Sequence, residues 1–453
     1  MKPVDVGQIL ELEIVDLTSN GEGIGKVNGF PIFIEKALPD ERVRVEITKL
    51  KKNFALGKML EVIEPSPERV KPYAEDLYRY GACNLLHLSY QGQLKFKTNL
   101  VKENLKRIGK IDVDVNPCLG MAHPYNYRNK SAFPFGMRDG RIVGGLFAPG
   151  THEIIDLNES VIDNPTTIEI MKYIKRTILA YHIVPYDEIS HSGILRHVVI
   201  RHGEKTKEYM VTLVVRTKDI PQLTAFVENL IKAFPMVVSV ILNVNPDRTN
   251  RILGDEEIVL YGNSYIHDYI GDVQFAISSK SFYQVNPTQT KVLYDTVARF
   301  ANLKGNEVII DAYCGIGTIG LYLAKQAKAI YGVEIVREAV EDAKYNARLN
   351  GFNNAHFIVG KAEEVIRDWK NDGIQADLII VDPPRKGCDQ RLLDTIVEMK
   401  IPRVIYVSCN PSTLARDLNL LKDYYQIHEV QPVDLFPHTS HVECVTLMSR
   451  VKK

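Results

Sequence analysis

The cysteine at position 409 has neighbours that suit a reactive thiol. It follows the apolar run at residues 404–407, which predicts a buried strand, and Pro411 comes two residues later and predicts a turn. Open α/β sheets bind ligands at the carboxyl ends of their strands, so such a strand would present Cys409 to a site. A lone cysteine is more often a packed core residue, so its interpretation as a nucleophile depends on the residues around it.

A carboxylate and two histidines follow Cys409 and could exchange protons beside it. Residues 425–433 and 442–451 are apolar segments joined by a polar loop, which predicts a terminal hairpin. Glu443 begins the second segment, so in an antiparallel strand it would lie at the same sheet rim as Cys409. His438 and His441 in the loop are alternative bases.

A glycine-rich turn predicts a nucleotide-type cofactor site. Residues 307–311 predict a strand, residues 312–320 form the turn, with Gly315 as its first glycine, and a helix is predicted to follow. Glycines there let the backbone approach a ligand closely. Glu334 ends the next apolar strand about 20 residues on, where a carboxylate can accept both ribose hydroxyls.

The later strands favour a methyl donor over a nicotinamide cofactor. A predicted strand at residues 377–381 ends at Asp382, and the next one leads to Cys409. A terminal hairpin added to an otherwise parallel sheet resembles the S-adenosylmethionine-dependent methyltransferases. We therefore expect S-adenosyl-L-methionine as cofactor.

A cysteine beside a methyl donor has a specific chemical use. Carbon 5 of a pyrimidine is a weak nucleophile, but a thiolate added at carbon 6 makes carbon 5 reactive towards a sulfonium methyl group. A base must then remove the carbon-5 proton so that the thiol can be eliminated. Cys409 and Glu443 are the predicted pair for these steps, with His438 and His441 as rival bases.

Composition limits the class of protein. The 453 residues predict two or three domains, and the 45% hydrophobic and 25% charged content is typical of globular proteins. Lys+Arg and Asp+Glu balance at 56 each, so any nucleic-acid contact must come from local patches. The N-terminal residues lack the apolar core of a signal peptide, and no apolar run reaches the ~18 residues of a membrane span. We expect a cytoplasmic protein without a membrane or an obligate protein partner.

Two regions before the cofactor turn could contact RNA. Residues 6–63 contain short glycine-punctuated strands, which predict a small β-barrel. A basic cluster near its end is either a phosphate-binding rim with an aromatic platform or a solvated hairpin: Lys49, Lys51, Lys52, Lys58 and Phe54. Residues 73–269 predict an α/β domain. Its aromatic and basic residues predict base stacking or core packing, and comprise residues 125–130, Phe133, Phe135, Arg196, His197 and Arg201.

The ordered motifs together resemble the RNA uracil-carbon-5 methyltransferases of the RumA/RlmD and TrmA group, over nearly the whole chain. The motifs are residues 281–287, the glycine-rich turn, Asp382-Pro383-Pro384-Arg385, Ser408-Cys409-Asn410-Pro411 and His441-Val442-Glu443, and the N-terminal barrel resembles a TRAM domain. This similarity implies that Cys409 is the nucleophile and Glu443 the base. It implies that the cofactor is held by Gln284, Tyr313, Gly315, Glu334 and Asp382, with Gln284 and Asp382 also near a flipped uracil.

The resemblance also implies a fold of multi-domain α/β class. We expect a TRAM-type barrel at residues 1–65 and a central α/β RNA-binding domain at residues 66–92 and 125–272. We expect a Rossmann-like methyltransferase domain at residues 93–124 and 273–453.

One departure from the family concerns metal. Ribosomal members often carry an iron–sulfur site of four cysteines, whereas this chain has Tyr80-Gly81-Ala82-Cys83, with Ala74 and Ser160 near two other ligand positions. A single thiolate cannot hold a cluster that needs four. We expect no iron–sulfur cluster and no other metal.

The barrel favours 23S ribosomal RNA as substrate, because smaller transfer-RNA members of the family resemble enzymes without it. Cluster-free relatives include dual-site enzymes of the RlmCD type, so one or two uridines are possible targets. A transfer-RNA uracil-5 methyltransferase and an RNA cytosine-5 methyltransferase are the alternatives. Amino-group methylation is disfavoured because Arg385, not an aromatic residue, follows Asp382-Pro383-Pro384.

Overall fold

The N-terminal strands close into a barrel. The computed structural model describes residues 3–72 and 81–451, so Ala74 and Tyr80 lie outside the described residues. The barrel strands are β1 (Ile9–Leu17), β2 (Gly23–Val27), β3 (Phe30–Ile34), β4 (Arg42–Leu50) and β5 (Ala55–Glu64), neighbouring in the order β1-β2-β3-β5-β4. Alternate side chains of β4, such as Val43 and Val45, point into its core. The predicted small barrel is confirmed.

The central region is built on one large sheet. Helix α1 (Tyr90–Arg107) leads into it, followed by β6 (Lys130–Arg138), β7 (Arg141–Phe147), β8 (Ile154–Asp156), α2 (Pro165–Thr177), β9 (Leu195–His202), β10 (Tyr209–Val215), α3 (Leu223–Ala233), β11 (Val237–Val244) and β12 (Glu256–Gly262). The sheet order is β12-β11-β10-β9-β6-β7-β8, and only β10 and β11 pair in parallel among these described strands. A separate hairpin, β13 (Tyr265–Ile270) and β14 (Val273–Ser278), follows.

The C-terminal region is a doubly wound sheet. Its elements are α4 (Pro287–Ala301), β15 (Val308–Ala312), α5 (Thr318–Leu323), β16 (Ala329–Glu334), α6 (Arg337–Leu349), β17 (Ala355–Val359), α7 (Ala362–Asn371), β18 (Leu378–Val381), α8 (Gln390–Glu398), β19 (Arg403–Ser408), α9 (Pro411–Leu421), β20 (Tyr425–Val433) and β21 (Glu443–Arg450). The strand order is β17-β16-β15-β18-β19-β21-β20, with β21 antiparallel to both neighbours. No helix in residues 3–72 and 81–451 is long and apolar enough to cross a membrane.

Helix α1 belongs to the core of the C-terminal sheet although it precedes the central one in sequence. Val101 and Leu105 pack into the same buried cluster as Leu414 and Leu418 of α9. Lys97 on α1 reaches Asp434 beyond β20, and both side chains are fully buried. The chain therefore crosses between the two regions twice. The assignment of residues 93–124 to the methyltransferase domain stays a prediction.

Of the two interpretations of the aromatic and basic residues in the central region, core packing holds for most of them, and base stacking is excluded where the side chains are buried. Phe133 and Phe135 of β6 lie in the hydrophobic core, because β6 is an interior strand covered by α2. Arg201 is buried and donates to the Ser281 carbonyl oxygen, 2.7 Å away. Arg196 is also buried and lies over the ring of Tyr186. These cations brace neighbouring segments and do not face solvent.

Candidate active site

Three predicted site residues meet at one rim of the C-terminal sheet. Val381 of β18 pairs with Tyr406 of β19, so Asp382 follows at the end of a strand adjacent to that of Cys409. On the other side, Ser408 of β19 pairs with Cys444 of β21. Continuing this antiparallel register by one residue sets Cys409 opposite Glu443. The rim therefore gathers a thiol and two carboxyl groups contributed by three neighbouring strands.

The turn after β19 holds Cys409 in place. The buried Ser408 hydroxyl accepts from the Asn410 backbone N–H at 3.1 Å. Asn410 caps helix α9 by accepting from the Ser412 N–H at 3.0 Å, and its side-chain amide donates to the Arg385 carbonyl oxygen at 3.1 Å. Cys409 is half-buried, whereas the other cysteines in the described ranges are buried. It is thus presented at the rim by a fixed strand-to-helix turn.

Buried hydrogen bonds connect the loop after β18 to helix α9. The buried carboxylate of Asp417 accepts from the Tyr406 hydroxyl at 2.7 Å and from the Cys388 backbone N–H at 2.8 Å. Because Tyr406 lies on β19, this carboxylate joins the strand before the thiol to the loop that carries Asp382. The relative positions of the two motifs are therefore set by buried hydrogen bonds.

The electrostatics of the rim favour neutral forms of its acidic groups. Burial raises the pKa of the Cys409 thiol to about 11, and the charges of Glu443 and Asp382 add to the effect. Burial, then the charge of Asp382, raises the pKa of Glu443 well above its usual value. Burial alone raises the pKa of Asp382 to about 7. The exposed Arg385 opposes these effects, since its positive charge lowers the pKa of both Cys409 and Glu443.

These pKa shifts predict a reaction that accelerates with pH. With Cys409 as the predicted nucleophile, its thiolate is the reactive form, and kcat/KM should rise by up to about tenfold per pH unit below the Cys409 pKa of about 11. Arg385→Met removes the cation that stabilises both anions, so both pKa values should rise further. We expect kcat/KM to be roughly two- to tenfold lower, by about the same factor at pH 7 and at pH 9, because both lie well below the Cys409 pKa of about 11.

The measurement is kcat/KM for methyl transfer between pH 6.5 and 9, together with the same profile for Lys386→Met. Lys386 is the exposed neighbour of Arg385, so its variant controls for lost RNA attraction by a surface cation. The Arg385 carbonyl oxygen that binds Asn410 is retained in the variant. An equal loss of kcat/KM in Lys386→Met, or no loss in Arg385→Met, would contradict a specific electrostatic role for the Arg385 side chain.

The glycine-rich turn lies two strands away at the same edge of the sheet. Tyr313, Gly315 and Gly317 have positive φ angles of 63°, 55° and 79°. A Cβ at Gly317 would lie 2.9 Å from the Phe357 ring, whereas a Cβ at Gly315 would meet no atom within 4 Å. Gly317 is thus needed for packing, and Gly315 leaves its backbone open to a ligand.

Glu334 is where the sequence predicts it, at the end of β16 beside this turn. One carboxylate oxygen accepts from the Gly315 N–H at 3.2 Å, and the other from the Val336 N–H at 3.0 Å. Asp311, at the end of β15, is buried and accepts from the Gly320 N–H at 2.8 Å. Burial raises the Asp311 pKa to about 7. The two carboxyl groups hold both ends of the turn.

Tyr313 and Gln284 approach the site from different sides. Tyr313 is half-buried, and its pKa is raised by burial and then by Cys388, which places its ring beside the loop after β18. Gln284 is buried in the segment between β14 and α4, where its carbonyl oxygen accepts from the Asn129 side chain at 3.0 Å. Asn286 caps α4 and donates to the Leu435 carbonyl oxygen at 3.1 Å. The segment carrying Gln284 is thus tied to the loop before Glu443.

Tyr294 shows that the cofactor turn and the thiol rim are adjacent. This buried tyrosine of α4 shares a 2.7 Å hydrogen bond with Thr318, the first residue of α5. Its pKa is raised mainly by burial and also by the charges of Asp382, Asp311 and Glu443. One ring therefore lies within electrostatic range of carboxyl groups from both halves of the site.

The two rival bases differ in their availability. His438 is buried, with Gln93 Nε2 at 3.3 Å from its Nδ1 and the Pro124 carbonyl oxygen at 2.8 Å from its Nε2. Both ring nitrogens are therefore engaged in structural contacts. His441 is exposed, and its pKa is lowered by burial of part of the ring and by Arg385. His441 is the rival that can still reach a substrate.

Sequence reasoning gave no role to two exposed apolar side chains beside predicted site residues. Ile335, directly after Glu334, is 62% exposed, and Phe282, two residues before Gln284, is 68% exposed. Large exposed apolar side chains beside polar site residues commonly contact ligands. In the sequence, each of them is a bulky apolar residue close to a predicted site residue. Exposure, however, cannot be deduced from an apolar letter alone.

The residues of the candidate iron–sulfur site are only partly described. Cys83 is buried, and burial raises its thiol pKa to about 12. The Ser160 hydroxyl donates to Asp163 at 2.6 Å, and Ala74 lies outside the described residues. Within residues 3–72 and 81–451, no group of three or more His, Cys, Asp or Glu residues could hold a metal ion. The expected absence of a cluster stays a prediction.

The strand order, the antiparallel β21 and the glycine-rich turn with Glu334 define an S-adenosylmethionine-dependent methyltransferase. The sequence profile described as tRNA (uracil-5-)-methyltransferase matches residues 248–451, and that of the TRAM domain matches residues 3–60. An RNA methyltransferase of Bacillus cereus strain ATCC 10987 is 50% identical over 453 residues, which is 100% of this chain and 98% of that protein. The chain belongs to the RNA (uracil-5-)-methyltransferase family.

Other relatives agree with this assignment. An RNA methyltransferase of Halalkalibacterium halodurans is 51% identical over 448 residues, 98% of either protein. Among solved structures, the Pyrococcus abyssi tRNA (uracil-54, C5)-methyltransferase in complex with S-adenosyl-L-homocysteine matches with a TM-score of 0.79 and 29% identity. This match covers 97% of the present chain and 100% of the other. The fold and the cofactor class predicted from the sequence are confirmed.

Proposed function

We propose that the protein methylates carbon 5 of specific uridines in 23S ribosomal RNA through a covalent bond between Cys409 and uracil carbon 6. The observation that carries this proposal is the antiparallel register that sets Cys409 opposite Glu443, beside Asp382. A nucleophile and a proton acceptor on the same rim are what carbon-5 methylation of a pyrimidine requires.

The residues divide the reaction into two halves. The Cys409 thiolate adds to carbon 6, and the electron pair of the carbon 5–carbon 6 double bond becomes available at carbon 5. S-adenosylmethionine, when bound, supplies the methyl group as an electrophile. Glu443 then takes the carbon-5 proton, the carbon–hydrogen electron pair restores the double bond, and the carbon–sulfur bond to Cys409 breaks. The proton ends on Glu443 and the thiolate is regenerated.

The turn after β15 fits the cofactor. The Gly315 backbone is open to a ligand, and Glu334 is positioned to accept ribose hydroxyl groups. Ile335 offers an exposed apolar side chain for the adenine ring. Tyr313, beside the loop after β18, would border the same space. Asp382 and Gln284 would contact both the cofactor and the edge of the uracil removed from its stack.

The barrel offers a surface for RNA. Phe54 stacks on Phe33 with ring centroids 4.9 Å apart, and the neighbouring Lys51 and Lys52 are exposed. A groove beside them is lined by Pro3, Asn28, Gly29, Phe30, Pro31, Lys52 and Asn53. An aromatic pair beside cations suits a stacked base and its phosphate. This supports the barrel's proposed role in holding RNA.

Transfer RNA is the second candidate substrate. The barrel was the sequence argument for ribosomal RNA, but the Pyrococcus abyssi transfer-RNA enzyme aligns with 97% of this chain. That coverage necessarily includes most of residues 1–65, so the barrel alone does not distinguish the substrates. The motifs resemble ribosomal and transfer-RNA members alike, so labelling of the two RNAs decides between the substrates. Cytosine-5 methylation remains the alternative reaction.

The test supplies methyl-labelled S-adenosylmethionine with unmodified 23S ribosomal RNA and, separately, with unmodified transfer RNA. The products are digested to nucleosides and identified by mass spectrometry. Label in 5-methyluridine from 23S RNA supports both the methylated atom and the RNA substrate of the proposal. Mapping of the label then shows whether one or two uridines are modified. Label only from transfer RNA would overturn the substrate, and label in cytidine would overturn the reaction.

A further inference from the structure

The loop between β20 and β21, residues 434–442, is irregular yet mostly buried. Asp434 and Leu435 are 0% exposed, and Val442 is 1% exposed. Backbone polar groups in such a loop need partners outside it. The loop leads directly into Glu443 and carries His441, so its position shapes the rim beside Cys409.

Helix α1 holds the first half of this loop. The fully buried Lys97 ammonium lies 2.5 Å from Asp434 and donates to the Phe436 carbonyl oxygen at 3.0 Å. The Gln93 side chain accepts from the His438 backbone N–H at 2.8 Å. These contacts stay within the part of the chain that packs on the C-terminal sheet.

Asn84 holds the second half and also reaches the barrel. Its side-chain oxygen accepts from the Ser440 backbone N–H at 2.9 Å. Its amide group donates to the Ser440 hydroxyl at 3.2 Å and to the Asn20 carbonyl oxygen at 2.6 Å. Asn20 lies in the turn between β1 and β2 of the barrel. The Asn84 side chain thus joins the barrel to the loop at Ser440, three residues before Glu443.

The next residue makes the same connection through packing. Leu85 is fully buried and donates its backbone N–H to the His438 carbonyl oxygen at 3.0 Å. Its side chain fills the space beside Gly21 in the same barrel turn, where an added Cβ would lie 2.5 Å from Leu85 Cδ2. Gly21 has a φ of 82°, which also favours glycine. The barrel turn is therefore seated directly on residues that hold the loop.

We propose that Asn84 is a positioning residue through which the docked barrel sets the place of residues 440–443 at the active-site rim. The barrel then contributes to turnover as well as to RNA affinity. This inference rests on the proposed roles of Cys409 and Glu443. Its specific consequence is that a disturbed barrel contact slows the step that needs Glu443 more than the step that needs Cys409, because Cys409 directly follows β19 and is held by a separate turn.

Two variants test the contact from its two sides. Asn84→Ala removes the bonds to Ser440 and Asn20, and Gly21→Ala displaces the barrel turn from Leu85 without changing the methyltransferase residues. At saturating RNA, each should lower turnover roughly tenfold, because small misplacements of catalytic groups are costly. The fraction of enzyme trapped as a covalent RNA adduct should rise, and the RNA dissociation constant should change by less than about twofold.

Matched variants separate positioning from stability. Asn354→Ala removes a half-buried asparagine that donates to two backbone carbonyl oxygens far from the rim. Gly7→Ala imposes the same backbone strain as Gly21→Ala, at a φ of 84°, but its Cβ would meet no atom within 4 Å. Thermal unfolding of all four variants measures the structural cost. A loss of folded enzyme alone lowers turnover and adduct together, leaving their ratio unchanged.

The outcomes are distinct. An unchanged adduct-to-product ratio in Asn84→Ala would overturn the positioning role. An altered ratio in Asn84→Ala with a normal one in Gly21→Ala would overturn the part played by the barrel. A weaker RNA affinity with normal turnover would restrict the barrel to binding and also overturn the proposal. Failure of the wild-type protein to form any 5-methyluridine would instead reject the proposed function itself.

Discussion

Replacement of Cys409 by alanine is expected to abolish methyl transfer to RNA while leaving cofactor binding intact. Without the thiol no bond forms at uracil carbon 6, and carbon 5 remains too weak a nucleophile to accept the methyl group. The glycine-rich turn is held by Glu334 and Asp311, which lie three and two strands away from β19, so it should be unaffected. The thiol is half-buried, so its loss leaves only a small cavity.

The measurement combines labelled methyl transfer with calorimetric titration of S-adenosylmethionine. The matched control is Cys118→Ala, which removes a buried thiol from the segment between α1 and β6. That variant should methylate normally, and Cys409→Ala should show no product and no RNA adduct in a denaturing gel. Normal turnover in Cys409→Ala would end the covalent proposal.

The pairing of Cys409 with Glu443 was accessible from the sequence because it depends on local patterns. An apolar run followed by a polar residue marks the end of a buried strand, and the terminal hairpin fixes which end of β21 faces that rim. Glu334 was found for the same reason, as the acid at the end of the strand after the glycine-rich turn. Such features are encoded within a few residues of the site.

What the sequence could not show depends on contacts between distant residues. His438 was a plausible base until Gln93, 345 residues earlier in the chain, was found at its ring nitrogen. Phe133 has the letters of a stacking platform, but its burial follows from the sheet order, which places β6 between β9 and β7. The connection from Asn20 through Asn84 to Ser440 spans three segments that carry no shared motif.

The clustered acids of the site also have a common physical consequence. Burial disfavours the anions of all three acids: it raises the pKa values of Asp311 and Asp382 to about 7, and it raises the pKa of Glu443 well above its usual value. A cation bound among them would lower these pKa values and favour the charged forms. Binding of a positively charged methyl donor should therefore be linked to proton release and should strengthen with pH. Glu443 would then be deprotonated where a base is needed.

Glu443→Gln is expected to stop the reaction after methyl transfer. The glutamine amide preserves the size of the side chain but cannot accept the carbon-5 proton, whereas Cys409 and the cofactor turn are unchanged. The enzyme should add to the RNA, transfer one methyl group and remain attached, with release slowed by about 10²- to 10⁴-fold.

A denaturing gel with methyl-labelled cofactor measures this trapped species directly. Label should migrate with the protein–RNA adduct in Glu443→Gln and with free RNA in the control Glu429→Gln. Glu429 is a carboxylate of β20 that pairs with Arg299 of α4. If Glu443→Gln releases methylated RNA at the wild-type rate, the proton must leave by another route. His441 is then the base to test, because it is exposed at the rim, while the ring nitrogens of His438 are already engaged by Gln93 and Pro124.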